Sequence, residues 1–337
     1  MISVNVSLPN NLMQVHDRRI LVTGGAGLIG SFLVDMLVQR GARVVVADDF
    51  SKGRRGNLSR MLDHIEIREG DLETAEAMER ALDEIEIVFH LASRAYGIGY
   101  SSTHHFGLLQ HNERITNNLL AELAKRPVAH LLVASSSCVY PDQGPETVSE
   151  LPLFQGAPEF SNRGYGWAKR LLEQKAAILA EEFGIPLTIV RPFNIYGERY
   201  RWVDAASQAI PMLVKKVLDG DDPVVVWGSG RQRRNYLHAE DCADAMLGLV
   251  IDGFTGAVNI GTEDTVTVLE LVETICRLTG RRPRIVCDGT KPEGRQVKSS
   301  DSTFLRKAYP GFRKSITLEQ GLERMIGWYE SEFGRAA

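Results

Sequence analysis

The sequence predicts a mixed α/β fold of the Rossmann type, in which a doubly wound parallel sheet carries a smaller C-terminal lobe. Two observations support this class. Apolar runs with strand character alternate with segments of helical apolar spacing over residues 19–191. The glycine-rich segment 23–30 lies between the first apolar run and the first helical segment, so the order is strand, tight turn, helix.

The predicted strands are apolar runs bounded by polar or turn residues, as expected of strands that are buried on both faces. They cover residues 20–23, 44–47, 65–69, 87–92, 130–135 and 187–191. Helices are predicted over residues 73–82, about 108–125, 165–183 and 213–219. Gly184 follows the third helix and ends it, because glycine readily adopts the left-handed conformation found after helix C-termini.

Short apolar runs near the C-terminus do not follow the regular alternation. They cover residues 224–227, 258–260 and 284–286, and they predict a smaller lobe interleaved with late elements of the main sheet. We therefore assign residues 18–195 mainly to the Rossmann domain and residues 196–330 mainly to the smaller lobe.

The glycine-rich turn is the first indication of a ligand. Backbone N–H groups at the start of the following helix point at a bound pyrophosphate, and only glycine lets the chain approach it closely. Asp48 and Asp49 end the next apolar run about 20 residues later, where a carboxylate accepts hydrogen bonds from the ribose hydroxyls. Such a carboxylate repels a 2′-phosphate, so the sequence predicts NAD rather than NADP, although Arg54 and Arg55 follow closely.

Composition and charge restrict the class of partner. The chain has 337 residues, of which 44% are apolar, and a net charge of −4, so it can bury a large core and has no general attraction for nucleic acid or anionic membranes. No apolar stretch reaches the roughly 20 residues of a membrane span. Residues 1–18 lack the layout of a signal peptide, so we expect a cytoplasmic protein. The four cysteines show no paired ligand spacing and predict neither a metal site nor a disulfide framework.

Tyr165 and Lys169 are the candidate catalytic pair. They lie four residues apart at a predicted helix start, so both side chains fall on one face. An ammonium beside a phenol lowers the pKa of the phenol, and the positive nicotinamide ring lowers it further. The phenolate then accepts a proton from a substrate hydroxyl as hydride leaves the same carbon. Ser136, at the end of the fifth predicted strand, is expected to donate a hydrogen bond to that hydroxyl.

These segments, together with Asp71-Leu72, His90-Leu91-Ala92 and residues 191–197, resemble the extended short-chain dehydrogenase/reductase family of nucleotide-sugar epimerases, dehydratases and reductases. The resemblance extends from about residue 19 to about residue 328. It implies NAD as cofactor, a nucleotide-sugar substrate and a homodimer formed through a four-helix interface. The implied cofactor-binding residues are Gly24, Gly27, Leu28, Ile29, Gly30, Asp48, Asp49, Asp71, Leu72, Leu91, Ala92 and Lys169.

The resemblance also implies substrate contacts. Asn194 and the arginines of residues 228–238 hold the sugar nucleotide in the family; Arg234 falls on the diphosphate-binding position and Arg295 falls near a second nucleotide contact. Independently of the family, arginines in a glycine-rich loop of an acidic protein suit a bidentate grip on a diphosphate.

In detail, the sequence resembles the GDP-mannose 3,5-epimerases and GDP-fucose synthases of that family. Residues 135–141 resemble a strand end whose cysteine moves protons next to a keto group, and Tyr96, Gly97 and Ile98 lie in a segment similar to the epimerase substrate loop. Residues 225–230 are similar to the synthase. A thiolate stabilised by a cation or dipole is a competent base for a carbon acid. Cys138 is therefore a candidate proton shuttle; the alternative is a small buried apolar residue.

Gln208 departs from the family pattern. Both groups of relatives place a lysine or histidine there, before the helix near residue 210, as a second proton-transfer residue at the substrate. An amide cannot deliver a proton at neutral pH. Either another group supplies the acid, with His104, His105, Arg201 and Lys215 as candidates, or the reaction needs only one proton-moving side chain.

Three functions remain open at this point. The first is an NAD-dependent nucleotide-sugar isomerase or epimerase, acting on a GDP-sugar through a transient keto-sugar, with Tyr165 as acid/base and Cys138 as proton shuttle. The second is 4-epimerisation with Cys138 idle, or pyranose–furanose interconversion, on the same scaffold. The third is a protein that binds NAD without turnover. A stoichiometric reductase is disfavoured because Asp48 disfavours NADPH.

Overall fold

The structure is a computed structural model that describes residues 13–201, 207–291 and 293–334. Most of the segment considered as a signal peptide, residues 1–12, lies outside the described residues.

Strands and helices alternate along the chain. The strands are β1 (Arg19–Thr23), β2 (Arg43–Asp48), β3 (Ile65–Glu69), β4 (Ile87–His90), β5 (His130–Ala134), β6 (Thr147–Val148), β7 (Leu187–Pro192), β8 (Ile195–Tyr196), β9 (Val224–Trp227), β10 (Arg233–Asn235), β11 (Leu237–His238), β12 (Gly256–Ile260), β13 (Thr265–Thr267), β14 (Ile285–Asp288) and β15 (Val297–Ser300). The helices are α1 (Leu28–Gln39), α2 (Ala75–Ala81), α3 (Ile98–Ser101), α4 (His105–Lys125), α5 (Arg163–Phe183), α6 (Ala209–Asp219), α7 (Ala239–Ile251), α8 (Val268–Thr279), α9 (Thr303–Ala308) and α10 (Leu318–Phe333).

The main sheet is parallel, with the strand order β12-β7-β5-β4-β1-β2-β3. Leu21 of the central strand β1 pairs with Val45 on one side and with Val88 on the other. The order reverses at β1, as in doubly wound folds. The predicted fold class is confirmed, and the predicted strand at residues 65–69 has the bounds of β3.

Helices cover both faces of this sheet because successive strand side chains point to opposite faces. Ile20 and Val22 of β1 contribute to an apolar core shared with α1 and α7, whereas Leu21 belongs to a second core with α2, α4 and α5. The carboxyl ends of the strands are left free of this packing, and the loops that follow them build the site described below.

A smaller lobe is built mostly from later elements. Its sheet has the order β13-β10-β15-β6, and the short parallel pairs β9–β14 and β8–β11 accompany it. Helices α6, α8 and α10 share a third apolar core. The short run predicted at residues 258–260 belongs to β12 of the main sheet, so late elements do return to the first layer.

Two glycines give the turn after β1 its shape. Gly24 has a φ of +69°, and a Cβ on it would lie 2.9 Å from the backbone nitrogen of Ala92. A Cβ on Gly30 would lie 2.3 Å from the carbonyl oxygen of Gly24. Side chains at these positions would push α1 away from the strand ends, so the close approach of turn and helix requires glycine.

A buried ion pair fastens α5 to the sheet. The Arg191 side chain at the end of β7 donates to Glu173 of α5 with an Nη2–Oε2 distance of 2.7 Å, and their side chains are 5% and 2% exposed. Arg191 also donates to the Tyr140 hydroxyl at 2.7 Å, and that hydroxyl donates to Asn259 Oδ1 at 2.6 Å. Glu173 accepts a further hydrogen bond from Ser135. One network therefore joins α5, β5, β7 and β12.

We expect Glu173→Gln to lower the free energy of unfolding by about 3–5 kcal/mol, because the Arg191 guanidinium would stay buried without its counter-charge. Urea unfolding followed by circular dichroism measures the change. The matched control is Glu319→Gln, which removes an exposed partner of Arg277 and should leave the midpoint unchanged. An unaltered midpoint in Glu173→Gln would show that the pair does not stabilise the fold.

Candidate active site

A cleft of about 820 Å³ lies along the carboxyl ends of the main-sheet strands and continues between them and the smaller lobe. Nearly every residue singled out from the sequence lies on its wall. Those residues are Gly24, Gly27, Leu28, Ile29, Gly30, Asp48, Asp49, Asp71, Leu72, Leu91, Ala92, Tyr96, Gly97, Ile98, Ser136, Cys138, Tyr165, Lys169, Asn194, Gln208 and Arg234.

Arg295 is the exception among the expected cofactor- and substrate-binding residues. It is not among the residues that line the cleft, and its Nη2 donates to the carbonyl of Pro145 at 2.8 Å. In this structure the side chain therefore joins two loops at the edge of the cleft, and the second nucleotide contact stays a prediction. Its neighbours Glu293 and Gly294 lie on the wall instead.

The cofactor end of the cleft is formed by the start of α1 and the end of β2. The N-cap of α1 is Gly27, which offers no side chain to cap the free N–H groups of the first turn, so those groups are suited to bind an anion. Asp48 accepts hydrogen bonds from the backbone nitrogens of Ala26 at 3.0 Å and Phe50 at 2.8 Å. Burial raises the pKa of this carboxyl, and the two backbone donors oppose the shift. This arrangement fits a dinucleotide with its pyrophosphate at α1 and its ribose at Asp48.

The arginines near this end are already paired with carboxylates. Arg54 lies 2.9 Å from Glu332, and Arg55 pairs with Glu69. Arg94, which the sequence analysis did not identify, donates to Asp49 at 2.8 Å. The positive charge that could have attracted a 2′-phosphate is thus compensated within the fold.

Helix α5 brings the candidate catalytic groups to the centre of the cleft. Lys169 Nζ donates to the carbonyl of Ala134 at 2.8 Å and lies 5.6 Å from the centre of the Tyr165 ring. The side chains of Ser93 and Ser136 lie near enough to the Tyr165 hydroxyl to stabilise its phenolate. The i, i+4 spacing thus sets Tyr165 and Lys169 side by side at the ends of β4 and β5.

Burial governs the electrostatics of this pair. It raises the pKa of Tyr165, and the side chains of Ser93 and Ser136 oppose this only in part. Burial also lowers the pKa of Lys169 to about 8. In the protein alone, desolvation of the phenolate therefore dominates the pKa of Tyr165. The lowering expected from Lys169 together with the nicotinamide ring stays a prediction for the cofactor-bound protein.

Cys138 lies beside two buried charged residues from distant parts of the chain. Its Sγ is 3.8 Å from Lys298 Nζ, and that Nζ is 3.2 Å from Glu159 Oε2. Burial raises the pKa of Cys138 to about 11 although the Lys298 ammonium opposes the shift. Burial alone would raise the pKa of Glu159, but Lys298 and hydrogen bonds from Asn162 and Cys138 hold it at about 2. The protein alone therefore holds a thiol, an ammonium and a carboxylate.

Sequence reasoning missed Ser93, Arg94, Glu159 and Lys298. Glu159 and Lys298 are separated by 139 residues, and neither lies in a motif with recognisable spacing. The one local indication was Lys298 itself, which lies in the otherwise neutral strand segment 297–300. A lysine is rarely buried without a partner, so a lysine in such a strand indicates a nearby acidic group.

The groups considered in place of Gln208 lie in different environments. His104 stacks on Tyr100 with ring centres 3.9 Å apart, and Lys215 pairs with Asp219. His104, His105 and Lys215 do not line the cleft, whereas Arg201 and Gln208 do. Gln208 forms the N-cap of α6. Because its side chain is an amide, there is no titratable group at that position.

The far end of the cleft is built by the smaller lobe. Arg234 lines it and donates to the carbonyl of Glu293 at 3.1 Å. Asn194, whose φ is +45°, donates to Asn235 Oδ1 at 2.8 Å. Lys216 and Trp227 complete this wall. An arginine, a lysine and an indole ring around a polar space suit a nucleoside diphosphate.

No group of three or more histidine, cysteine or acidic side chains could hold a metal ion within residues 13–201, 207–291 and 293–334. Over the same ranges, no helix has the length and apolar character needed to cross a bilayer.

Comparison with known proteins gives the family. The model of the NAD dependent epimerase/dehydratase family matches residues 20–261. UDP-N-acetyl-alpha-D-glucosaminuronate decarboxylase of Bacillus cytotoxicus is 31% identical over 93% of this chain and 98% of its own length. GDP-L-fucose synthase 1 of Arabidopsis thaliana is 29% identical over 94% of each chain, and GDP-mannose 3,5-epimerase 1 of Oryza sativa subsp. indica is 28% identical over 93% of this chain and 82% of its own.

Solved structures agree with this family. The UDP-glucose 4-epimerase of Thermotoga maritima, solved with UDP-glucose, has a TM-score of 0.81 and 28% identity over 93% of this chain and 99% of its own. The resemblance drawn from the motifs is thereby confirmed, and so is NAD as the family's cofactor. The matched enzymes act on both UDP- and GDP-sugars.

We expect the protein to bind NAD at least about tenfold more tightly than NADP, which corresponds to about 1.4 kcal/mol, because the Asp48 carboxylate repels a 2′-phosphate. Isothermal titration calorimetry with the two cofactors measures the ratio. In Asp49→Asn, which removes the nearest of the carboxylates around Arg94, the preference for NAD over NADP should become smaller. Equal affinities in the parent protein would contradict the proposed ribose site.

Proposed function

This chain belongs to the NAD-dependent epimerase/dehydratase family, and on that premise we propose that it is a nucleotide-sugar isomerase or epimerase that acts through a transient keto-sugar. One observation supports the proposal above the others. Tyr165, Ser136 and Lys169 meet in the same cleft as the glycine-rich turn and Asp48, with Arg234 on the opposing lobe. A redox centre and a diphosphate site therefore share one space.

In the proposed reaction, NAD when bound supplies a hydride acceptor and a positive charge that favours the phenolate of Tyr165. Tyr165 accepts the proton of a sugar hydroxyl while the hydride leaves the carbon that bears it, and the C–O bond becomes a carbonyl. Ser136 donates a hydrogen bond to the same oxygen. Lys169, held by Ala134, keeps the hydroxyl end of Tyr165 next to a positive charge. Because the cofactor would give back the hydride that it accepts, no net oxidation is expected, and Tyr165 returns the proton to the oxygen.

Cys138 is proposed to exchange a proton between these two steps. A ketone acidifies the neighbouring C–H bond. The thiolate of Cys138 takes that proton, and the C–H electron pair moves into the carbonyl to give an enolate. The electrons return when the carbon is reprotonated, either by the Cys138 thiol after exchange with solvent or, with inversion, by water from the opposite face. The thiol lies on the same cleft wall as Tyr165, so both groups can reach one bound sugar.

We propose a GDP-sugar as the substrate. The support is the similarity of residues 225–230 to the GDP-fucose synthases, together with the place of Val225 and Trp227 on the cleft wall beside Lys216. Arg234 is then the ligand of the diphosphate, because a guanidinium binds two phosphate oxygens at once.

A specific observation favours a second candidate, 4-epimerisation with Cys138 idle. Burial raises the pKa of Cys138 to about 11, so the thiol is protonated at neutral pH in the protein alone. An epimerase that inverts only the oxidised carbon needs Tyr165 and the cofactor but no thiolate. Pyranose–furanose interconversion, or NAD binding without turnover, would use still fewer of these groups.

We further propose a cytoplasmic homodimer. Helices α4 and α5 pack on each other and leave large apolar side chains exposed, with Phe106 at 72% and Ile178 at 54% relative exposure. A second copy placed on this face would cover them. The four cysteines are free thiols, as expected for a reducing compartment.

Incubation of the NAD-loaded protein with GDP-mannose in deuterium oxide tests the proton exchange. We expect deuterium at C3 or C5 of the recovered sugar by mass spectrometry, and loss of that label in Cys138→Ala. The matched control Cys276→Ala changes a cysteine outside the cleft and should keep the label. Isomerisation without label would favour 4-epimerisation or ring interconversion. No conversion of GDP- or UDP-sugars despite NAD binding would favour a binding protein.

Tyr165→Phe should lower kcat by about 10²–10⁴, because general acid–base catalysis by the phenol is lost, while NAD affinity stays unchanged. Steady-state kinetics and cofactor titration measure the two effects separately. The control Tyr309→Phe removes a hydroxyl outside the cleft. Full activity in Tyr165→Phe would contradict the assigned acid/base.

A further inference from the structure

The cluster of Cys138, Lys298 and Glu159 joins three separate parts of the fold. Cys138 follows β5, Glu159 precedes α5, and Lys298 lies on β15 of the smaller lobe. The side chains of Lys298 and Glu159 are only 9% and 8% exposed. All three residues nevertheless line the cleft. A charged pair is therefore buried at the wall of the candidate active site, against the thiol.

Stability gives a weak reason for this burial. Removing a lysine and a glutamate from water costs several kcal/mol per ion, and their attraction often does no more than offset that cost. A pair of apolar residues could hold β15 against the loops equally well. The desolvation of Lys298 and Glu159 is explained if their charges act on the adjacent thiol of Cys138.

We propose that Lys298 and Glu159 are positioning residues for Cys138: the Lys298 ammonium stabilises the thiolate, and Glu159 both holds Lys298 and restrains ionisation of the thiol. This inference rests on the proposed role of Cys138 as a proton shuttle. It assigns the cation that a thiolate base requires, which the sequence motif by itself did not identify.

The distances favour this role over that of a second proton-transfer residue. Two groups on opposite faces of one sugar carbon, each about 3–3.5 Å from it, stand roughly 6–7 Å apart. Lys298 Nζ is 3.8 Å from Cys138 Sγ, so both lie on the same side of a bound sugar. Lys298 therefore acts through the thiol and does not replace the residue absent at Gln208.

The charges around the thiol have opposite effects. Lys298 lowers the proton affinity of Cys138, whereas Glu159 raises it. Tyr165 faces the thiol from α5, and Arg234 faces Lys298 and Glu159 from β10. Ser136 accepts a hydrogen bond from the Cys138 backbone N–H at 3.1 Å and favours the thiolate. Burial would lower the pKa of Lys298, but Cys138 and Glu159 raise it, so the ammonium persists at neutral pH.

Opposite shifts of the thiol titration follow from this arrangement. Lys298→Met should raise the pKa of Cys138 and slow its alkylation, whereas Glu159→Gln should lower the pKa and speed alkylation. Below the thiol pKa the thiolate fraction changes about tenfold for each pKa unit, and the alkylation rate changes in the same direction by a smaller factor. Lys298→Arg keeps the positive charge and should stay close to the parent protein.

The measurement is the rate of iodoacetamide modification of the Cys138 peptide against pH, followed by mass spectrometry on the full chain with circular dichroism as a check of folding. The matched control is Lys216→Met, which removes another lysine of the cleft wall that donates to the Val225 carbonyl and should leave the Cys138 profile unchanged. The proposal would be overturned if the alkylation profile of Cys138 were unchanged in both Lys298→Met and Glu159→Gln, or if both profiles shifted in the same direction. It would also be overturned if Cys138 were unreactive in every variant.

A second arm separates this inference from the proposed function. Deuterium uptake into GDP-mannose should fall in Lys298→Met in step with the alkylation rate. If deuterium uptake persists and the titration of Cys138 is the same in Lys298→Met and Glu159→Gln as in the parent protein, the inference is overturned but the proposed function is not. Opposite titration shifts in a protein that exchanges no substrate proton would support the charge control of Cys138 and contradict the proposed exchange.

Discussion

The attachment of α5 to the carboxyl ends of β5 and β7 is the constraint on which the site depends. Lys169 bonds the carbonyl of Ala134, and one turn further on Glu173 pairs with Arg191 in the core. These two contacts set the rotation and height of the helix, so that its first turn holds Tyr165 over the strand ends. The same network holds the loop that carries Ser136 and Cys138 through Tyr140.

Desolvation governs the chemistry of the groups held there. Burial moves the pKa of Tyr165 and Cys138 upward and that of Lys169 downward, so in the protein alone the acids stay protonated. Ionisation then has to be driven by charges placed against them, which is the role proposed for Lys298 at the thiol and for the bound cofactor at the phenol. A site of this kind favours reaction only when its ligands are in place.

The predictions made from local pattern were the reliable ones. The strand at residues 65–69, the helix ending at Gly184 and the glycine-rich turn follow from periodicity and turn chemistry, because those signals act over a few neighbouring residues. Two features of the site could not be predicted from such local signals. The contact of Arg295 with Pro145 and the raised pKa of Tyr165 depend on groups or burial supplied by distant segments.

The sequence by itself determined the fold class, the family, the glycine-rich turn and the placement of Tyr165 beside Lys169. Each of these follows from a short run of residues with a characteristic spacing. Only the tertiary structure decided the environment of Cys138, because Glu159 and Lys298 are 139 residues apart and meet when β15 pairs with β6 and β10 in the second sheet. A charge acts through space, and distance in space is set by the packing of whole elements.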